Sequence, residues 1–250
     1  MSQFVAPDRR RQLDDTQWLE AMGLDPFWIA NPVTNNQVAQ VSGSAALEAN
    51  PATPVGGAEL TGPRSWEMLN SAIRDCRTCA LCEGRRQAVA GSGDQQATWL
   101  IVGEAPGAEE DQRGQPFVGR AGQLLDAMLA ALGLNRQKAV YITNAVKCRP
   151  PENRSPESAE IAACNPFLRE QIRAIQPGVI LALGKSAAHA LLGHEATVQS
   201  LRGVRHIYTQ DGLSIPVVVT YHPAYLLRQP EEKPKAWADL LLAASALHTE

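Results

Sequence analysis

Residues 98–132 read TWLIVGEAPGAEEDQRGQPFVGRAGQLLDAMLAAL: an apolar run of strand length, a glycine-rich acidic loop, then an apolar-periodic segment of helix length. Strand, loop and helix in succession form the unit from which parallel α/β sheets are built. The unit recurs along the chain. Apolar runs at 98–103, 140–144, 179–184 and 215–220 predict four strands, each nearly all apolar as expected of strands covered on both faces. The spacing between and after them predicts helices over 121–132, 155–175 with Pro156 in its first turn, 186–192, and 235 to about 248. The expected fold is therefore α/β, a four-stranded parallel sheet sandwiched between helices. Functional residues of such sheets gather at the C-terminal ends of the strands, here GEAPG, NAVKC, GKSA and TYHPA.

Outward from that core, the 250 residues are 44% hydrophobic and 20% charged, which excludes a fully disordered or collagen-like chain. No apolar run approaches the roughly 20 residues needed to cross a bilayer, so no membrane association is expected. The N-terminus MSQFVAPDRRRQLDD has no apolar signal core, which points to a cytosolic, cytoplasmic protein. Residues 31–62 are rich in Asn, Ala, Pro and Gly without apolar period and read as a flexible linker. Ahead of it, Trp18, Leu19, Phe27 and Trp28 mark residues 1–30 as a fold-back helix or a docking segment for a protein partner. Residues 63–250 form the expected catalytic domain. Net charge is -3 overall, but residues 1–60 carry a sum of -4 and residues 61–250 a sum of +1. That balance argues against a broadly basic nucleic-acid coat protein and permits a confined basic groove or a small-molecule enzyme.

Five cysteines in a reducing compartment should be thiols or metal ligands rather than disulfides. Cys76 and Cys79 form a C-x2-C pair, and Cys148 and Cys164 a wider pair straddling the turn RPPENRSP. Four such thiolates suit structural zinc or a four-iron, four-sulfur cluster, and spacing alone does not decide. Cys82 adds a second ambiguity, since it also makes C-x2-C with Cys79. In the loop after the first strand, Gly103 and Gly107 let backbone approach a ligand, yet Glu104, Glu109, Glu110 and Asp111 argue against a phosphate cradle. No Rossmann fingerprint fits, and GVILALGKSA fails as a Walker A loop because a strand fills the gap between its glycines.

GEAPGAEEDQRGQPFVGRAGQLLD, ITNAVKCRPPENR, LALGKSAAHALLG and VTYHPAYLLRQPEEKPKAWADL, in that order, make the chain resemble the family 4 uracil-DNA glycosylases across roughly residues 66–246. The resemblance implies removal of uracil from single- and double-stranded DNA. It also implies a four-iron, four-sulfur cluster (4Fe-4S) held by Cys76, Cys79, Cys148 and Cys164, with Cys82 outside the pattern. A departure within the wider superfamily is Ala105, which stands where many members carry an Asp or Asn that activates water. Ala105 cannot act as a base, so that role stays open between Glu104, another acid of the loop, and direct dissociation.

The chemistry of base excision assigns the remaining residues. A glycosylase takes the base out of the stack and reads it in a closed pocket. Phe117 suits stacking on a flipped base, or serves as a core anchor; Asn144 can donate to uracil O4 and accept from N3–H. Bond cleavage leaves positive charge on the sugar and negative charge on the base. Glu104 answers the first and His222, donating to O2, the second. Glu110 matches a pocket position of the family, against the plainer reading of a surface acid. DNA contact is expected from Lys185, Ser186 and Arg202, and from a loop over 225–228 where Leu226 or Leu227 wedges into the stack and Arg228 meets phosphate. A monomer is expected. The alternatives are a non-catalytic iron-sulfur protein that binds DNA or senses redox, and a zinc-stabilised nucleotide hydrolase.

Overall fold

The computed structural model describes residues 65–248; the expected segments 1–30 and 31–62 lie outside the described residues. Its sheet is built from β1 (Ser92–Gly93), β2 (Trp99–Gly103), β3 (Val140–Asn144), β4 (Val179–Leu183), β5 (Arg205–Gln210) and β6 (Leu213–Thr220), in spatial order β1-β3-β2-β4-β6-β5. The four apolar runs are the four central strands, and they are parallel. Two antiparallel edge strands, β1 and β5, widen the expected four strands to six. Neither edge carries a continuous apolar run: β1 is two residues long, and β5 leaves Arg205, Ile207 and Thr209 exposed.

Alternation along the central strands feeds two cores, because successive side chains of a strand point to opposite faces. Leu100 and Val102 of β2 join Ile180, Ala182, Val217 and Val219 on one face, under α1 (Trp66–Asp75), α5 (Ser158–Ile175) and α6 (Lys185–Leu192). Trp99 and Ile101 join Ile142, Val179, Leu181 and Val218 on the other, under α4 (Arg120–Ala131) and α9 (Lys233–Ser245). The shorter helices are α2 (Leu81–Gly84), α3 (Ala108–Arg113), α7 (Val198–Leu201) and α8 (Pro223–Arg228). Pro156 does not sit in the first turn of α5. Glu157 caps that helix from outside, and its backbone N–H donates to Glu160 Oε2 at 2.8 Å, so the helix begins two residues later than the proline.

Strand order places the site. From β2 the chain crosses to β3 on one side, while from β4 it continues to β6 on the other, so the loops leaving β2 and β4 diverge and open a crevice at their C-terminal ends. Register brings Gly103 opposite Asn144 and Leu183 opposite Thr220, which aligns the ends of all four parallel strands. Among the described residues, no helix is long and apolar enough to cross a membrane.

Candidate active site

A cleft of about 420 Å³ opens at those strand ends, lined by Glu104, Ala105, Glu110, Phe117, Asn144, His222 and Arg228 among others. It is of the size of ordinary small-ligand pockets. Gly103, the last residue of β2, decides how closely its walls approach. A Cβ there would overlap Asn144 Oδ1 and lie 2.6 Å from the edge of the Phe117 ring, so only glycine lets amide and ring meet.

Phe117 is 6% exposed and adopts φ 54°, a left-handed backbone that costs a bulky residue on the order of 1 to 3 kcal/mol. Its surroundings hold it there. Arg136 donates to the carbonyls of Pro116 (2.9 Å) and Phe117, and Gly122 of α4 lies so close to the Phe117 carbonyl that any Cβ would collide with it. Glu110 completes the clamp: Oε1 accepts from the backbone N–H groups of Val118 (2.9 Å) and Gly119 (3.1 Å), and Oε2 from that of Gly107 (3.1 Å). Glu110 is therefore no surface acid; it fixes the loop that carries Phe117.

His222 stacks on Phe117 with ring centroids 5.4 Å apart and planes at 28°. It also caps α8, with Nδ1 accepting from the Ala224 backbone N–H at 3.1 Å. Burial pushes its pKa below the ordinary histidine value, and Arg228 adds to the fall, while Glu104 and Glu110 pull the other way. A neutral ring whose Nδ1 accepts carries its proton on Nε2. Asn144, at the end of β3, is 1% exposed, and its Oδ1 has no hydrogen-bond partner among the described residues. A buried polar atom left unpaired on a pocket wall is a cost that a ligand can remove.

Of the four acids in the loop, three are engaged elsewhere. Glu110 holds backbone, Glu109 pairs with Arg113 at 3.3 Å on the surface, and Asp111 accepts from the backbone N–H groups of Arg86 and Gln87. Glu104 lines the cleft, and among the described residues no hydrogen bond engages its carboxylate. Pro150, Asn153, Arg154 and Ser155 form another wall, with Tyr225 beside Arg228. No site residue is expected from the turn RPPENRSP in the sequence, although it follows directly on the NAVKC strand end and carries part of the ITNAVKCRPPENR motif.

Several expected DNA contacts need correction. Leu226 is 1% exposed and packs into the second core, because 223–228 is a helix and not a loop; Leu227, at 38%, is the exposed neighbour. Arg202 is turned inward, donating to both Asp239 carboxylate oxygens (3.1 and 3.0 Å) and to the Lys235 carbonyl (2.7 Å). Ser186 is buried. Lys185 is exposed and pairs with Glu195 at 3.3 Å, away from the cleft.

A second, much smaller cavity is walled by all five cysteines together with Thr78, Arg85 and Lys147. Arg85 Nη1 donates to Cys148 Sγ at 2.8 Å and the Lys147 backbone N–H to Cys164 Sγ at 3.3 Å. Burial raises the thiols of Cys79 and Cys148, and pushes Cys164 up to about 12 against the pull of Lys147. Among the described residues, no three His, Cys, Asp or Glu side chains are drawn together as a single metal ion requires.

The family profile described as Uracil DNA glycosylase superfamily matches residues 90–241, the span from the loop before β1 into α9. The chain belongs to the uracil-DNA glycosylase superfamily, in its type-4 branch. It is 42% identical over 180 residues to a type-4 uracil-DNA glycosylase of Pyrobaculum aerophilum, covering 70% of this chain and 91% of that one. It is 41% identical to one of Archaeoglobus fulgidus (66% and 86% covered) and 43% to one of Thermotoga maritima (65% and 83%). Within this superfamily member, Glu104, Ala105, Glu110 and Phe117 come from the segment that follows β2, Asn144 from the end of β3, and His222 from the turn after β6, all inside the matched span.

Proposed function

We propose that the cleft excises uracil from DNA, hydrolysing the N-glycosidic bond and leaving an abasic site. The observation that carries this reading is the unpaired, buried Oδ1 of Asn144 beside a strained, clamped Phe117. A flipped uracil laid on the Phe117 ring presents N3–H and O4 to the Asn144 amide, so the orphan acceptor gains its donor. A stacked base on an aromatic is worth about 1 to 3 kcal/mol. His222 then faces O2 with Nε2–H, and this donation strengthens as negative charge builds on the departing base. Glu104, the one loop acid not committed to backbone or surface partners, lies where positive charge develops on the sugar. Water adds its oxygen to C1′ and its proton to the leaving uracil, and Glu104 is the cleft residue able to orient it.

Arg228 at the mouth supplies a phosphate contact, and Leu227 the wedge that fills the gap left by the base. Single- and double-stranded DNA both serve, because the pocket acts on an extruded base.

Cys76, Cys79, Cys148 and Cys164 would hold a four-iron, four-sulfur cluster. The donor set fits: four soft sulfurs around one cavity, two of them accepting from Arg85 and the Lys147 backbone, with buried thiols that only a cationic group would hold ionised. The group supplies a cross-link rather than electrons, since base hydrolysis is redox-neutral. Chromatographic detection of free uracil from a uracil oligonucleotide tests the activity; about four irons and four acid-labile sulfides per chain test the cluster, and one zinc without sulfide contradicts it.

A further inference from the structure

Lys147 is the one fully buried lysine among the described residues, 1% exposed, and base excision as set out above gives it no task. Burying an ammonium group is costly unless each of its hydrogens finds an acceptor. Here each does. Nζ donates to Asn144 O at 2.6 Å, Thr143 Oγ1 at 2.7 Å and Gln171 Oε1 at 2.8 Å. Three acceptors around one nitrogen account for three hydrogens and leave none free. Gln171 and Thr143 are anchored in turn to the Ala90 carbonyl, at 2.7 and 2.9 Å, so the network is tied to a third segment of the chain.

What the ammonium grips is the backbone carbonyl of Asn144, where β3 ends and the chain turns away from the sheet. Beyond it, the Ala145 and Val146 N–H groups donate to the carbonyls of Gly103 (2.9 Å) and Glu104 (3.2 Å), so the peptides after Asn144 are pinned to the β2 end as well. The Asn144 side chain itself has its Oδ1 unpaired. Its aim is therefore set through its own backbone and the packing against Gly103, not through a side-chain partner on that oxygen. The same Lys147 residue, through its N–H, contacts Cys164 Sγ.

We propose that Lys147 is a positioning residue for base recognition: its ammonium fixes the Asn144 peptide so that the amide meets the uracil edge. The inference rests on Asn144 reading the base. It gives the buried lysine a task that neither DNA binding nor a purely structural cross-link requires.

The test uses the full chain, purified with its metal content measured. Free uracil, as a product inhibitor, probes the pocket alone; affinity for DNA carrying an abasic site probes the rest of the interface. Lys147→Met is expected to weaken inhibition by free uracil, and to lower kcat/KM for uracil excision, at least tenfold, with iron content and abasic-DNA affinity unchanged. Thr143→Val removes one acceptor with little change of shape and is expected to shift uracil inhibition about threefold in the same direction. It is the deciding variant should Lys147→Met fail to fold. Wild-type uracil inhibition in a folded, loaded Lys147→Met, or equal losses of uracil and abasic-DNA binding, overturns the proposal. Asn144→Asp separates the two levels: if it too keeps wild-type uracil inhibition, the role of Asn144 has failed, whereas a loss confined to Asn144→Asp removes Lys147 alone.

Discussion

Replacing Gly103 by alanine perturbs the site by a single methyl. The new Cβ would lie 2.6 Å from the Phe117 ring edge and closer still to Asn144 Oδ1, where ordinary carbon contacts begin at about 3.5 Å. Ring and amide must each retreat by about 1 Å. The ring has little freedom to do so, since Arg136, Gly122 and Glu110 hold its backbone, and Asn144 is held by the strand end. Overpacking of this kind costs about 1 to 3 kcal/mol of stability. Misplacing reacting groups by about 1 Å costs on the order of a hundredfold in rate. Gly103→Ala should therefore lower single-turnover uracil release about a hundredfold, while thermal unfolding shows a protein that is folded and only modestly destabilised. Gly84→Ala is the control, because no atom lies within 4 Å of its added Cβ. Wild-type excision by a folded Gly103→Ala would refute the account of the pocket, since ring and amide would then not need to touch.

Asn144→Asp puts a carboxylate oxygen against uracil O4 in place of an N–H, a buried mismatch of about 1 to 3 kcal/mol or more, so uracil excision should fall at least about tenfold with folding and metal content retained. Protonating His222 would set an Nδ1–H against the Ala224 N–H; because its pKa lies below the ordinary value of 6.5, kcat/KM should hold through neutrality and fall only on the acid side of 6.5, and this limb should vanish in His222→Gln. The same shift has a stability consequence with a definite sign. The unfolded chain takes up the proton near 6.5 and the folded one only at lower pH, so stability is full above 6.5 and declines as pH falls toward the folded pKa, which denaturant titration can follow. Leu227→Ala should weaken excision from duplex more than from single-stranded DNA, whereas Leu226→Ala should lower the unfolding temperature by core loss, as read by calorimetry. Arg202→Ala should likewise destabilise, by leaving the Asp239 carboxylate buried without its partner, and should leave the salt dependence of DNA binding unchanged.

The central strands were legible because burial on both faces writes an unbroken apolar run, and their C-terminal ends line the cleft. Glu104, Asn144 and His222, far apart in the chain, do meet in one cleft. The edges were not legible. In β5, RHIYTQ alternates between exposed and covered positions like any amphipathic segment, and a two-residue strand such as β1 leaves no pattern. Short helices hid for a related reason: over six residues the phase of Tyr225–Leu226–Leu227–Arg228 cannot be read, so which leucine faces the core was open until α8 was seen packing on α4. Arg202 looked like a DNA contact because its partner, Asp239, lies 37 residues away on α9. For Glu110 only the resemblance pointed to the pocket, because its three partners are backbone N–H groups, which no sequence displays.

The most direct measurement gives the wild-type protein three labelled oligonucleotides that differ only in one central base, uracil, thymine or cytosine, and follows release of the free base together with formation of an alkali-labile abasic site. The expected result is release of uracil and an abasic site at its position, with cytosine left intact because an Asn144 amide held with its oxygen toward N3 meets the reversed donor and acceptor of the cytosine edge. Folded protein that binds all three oligonucleotides and frees no uracil, or frees cytosine as fast, would contradict the account.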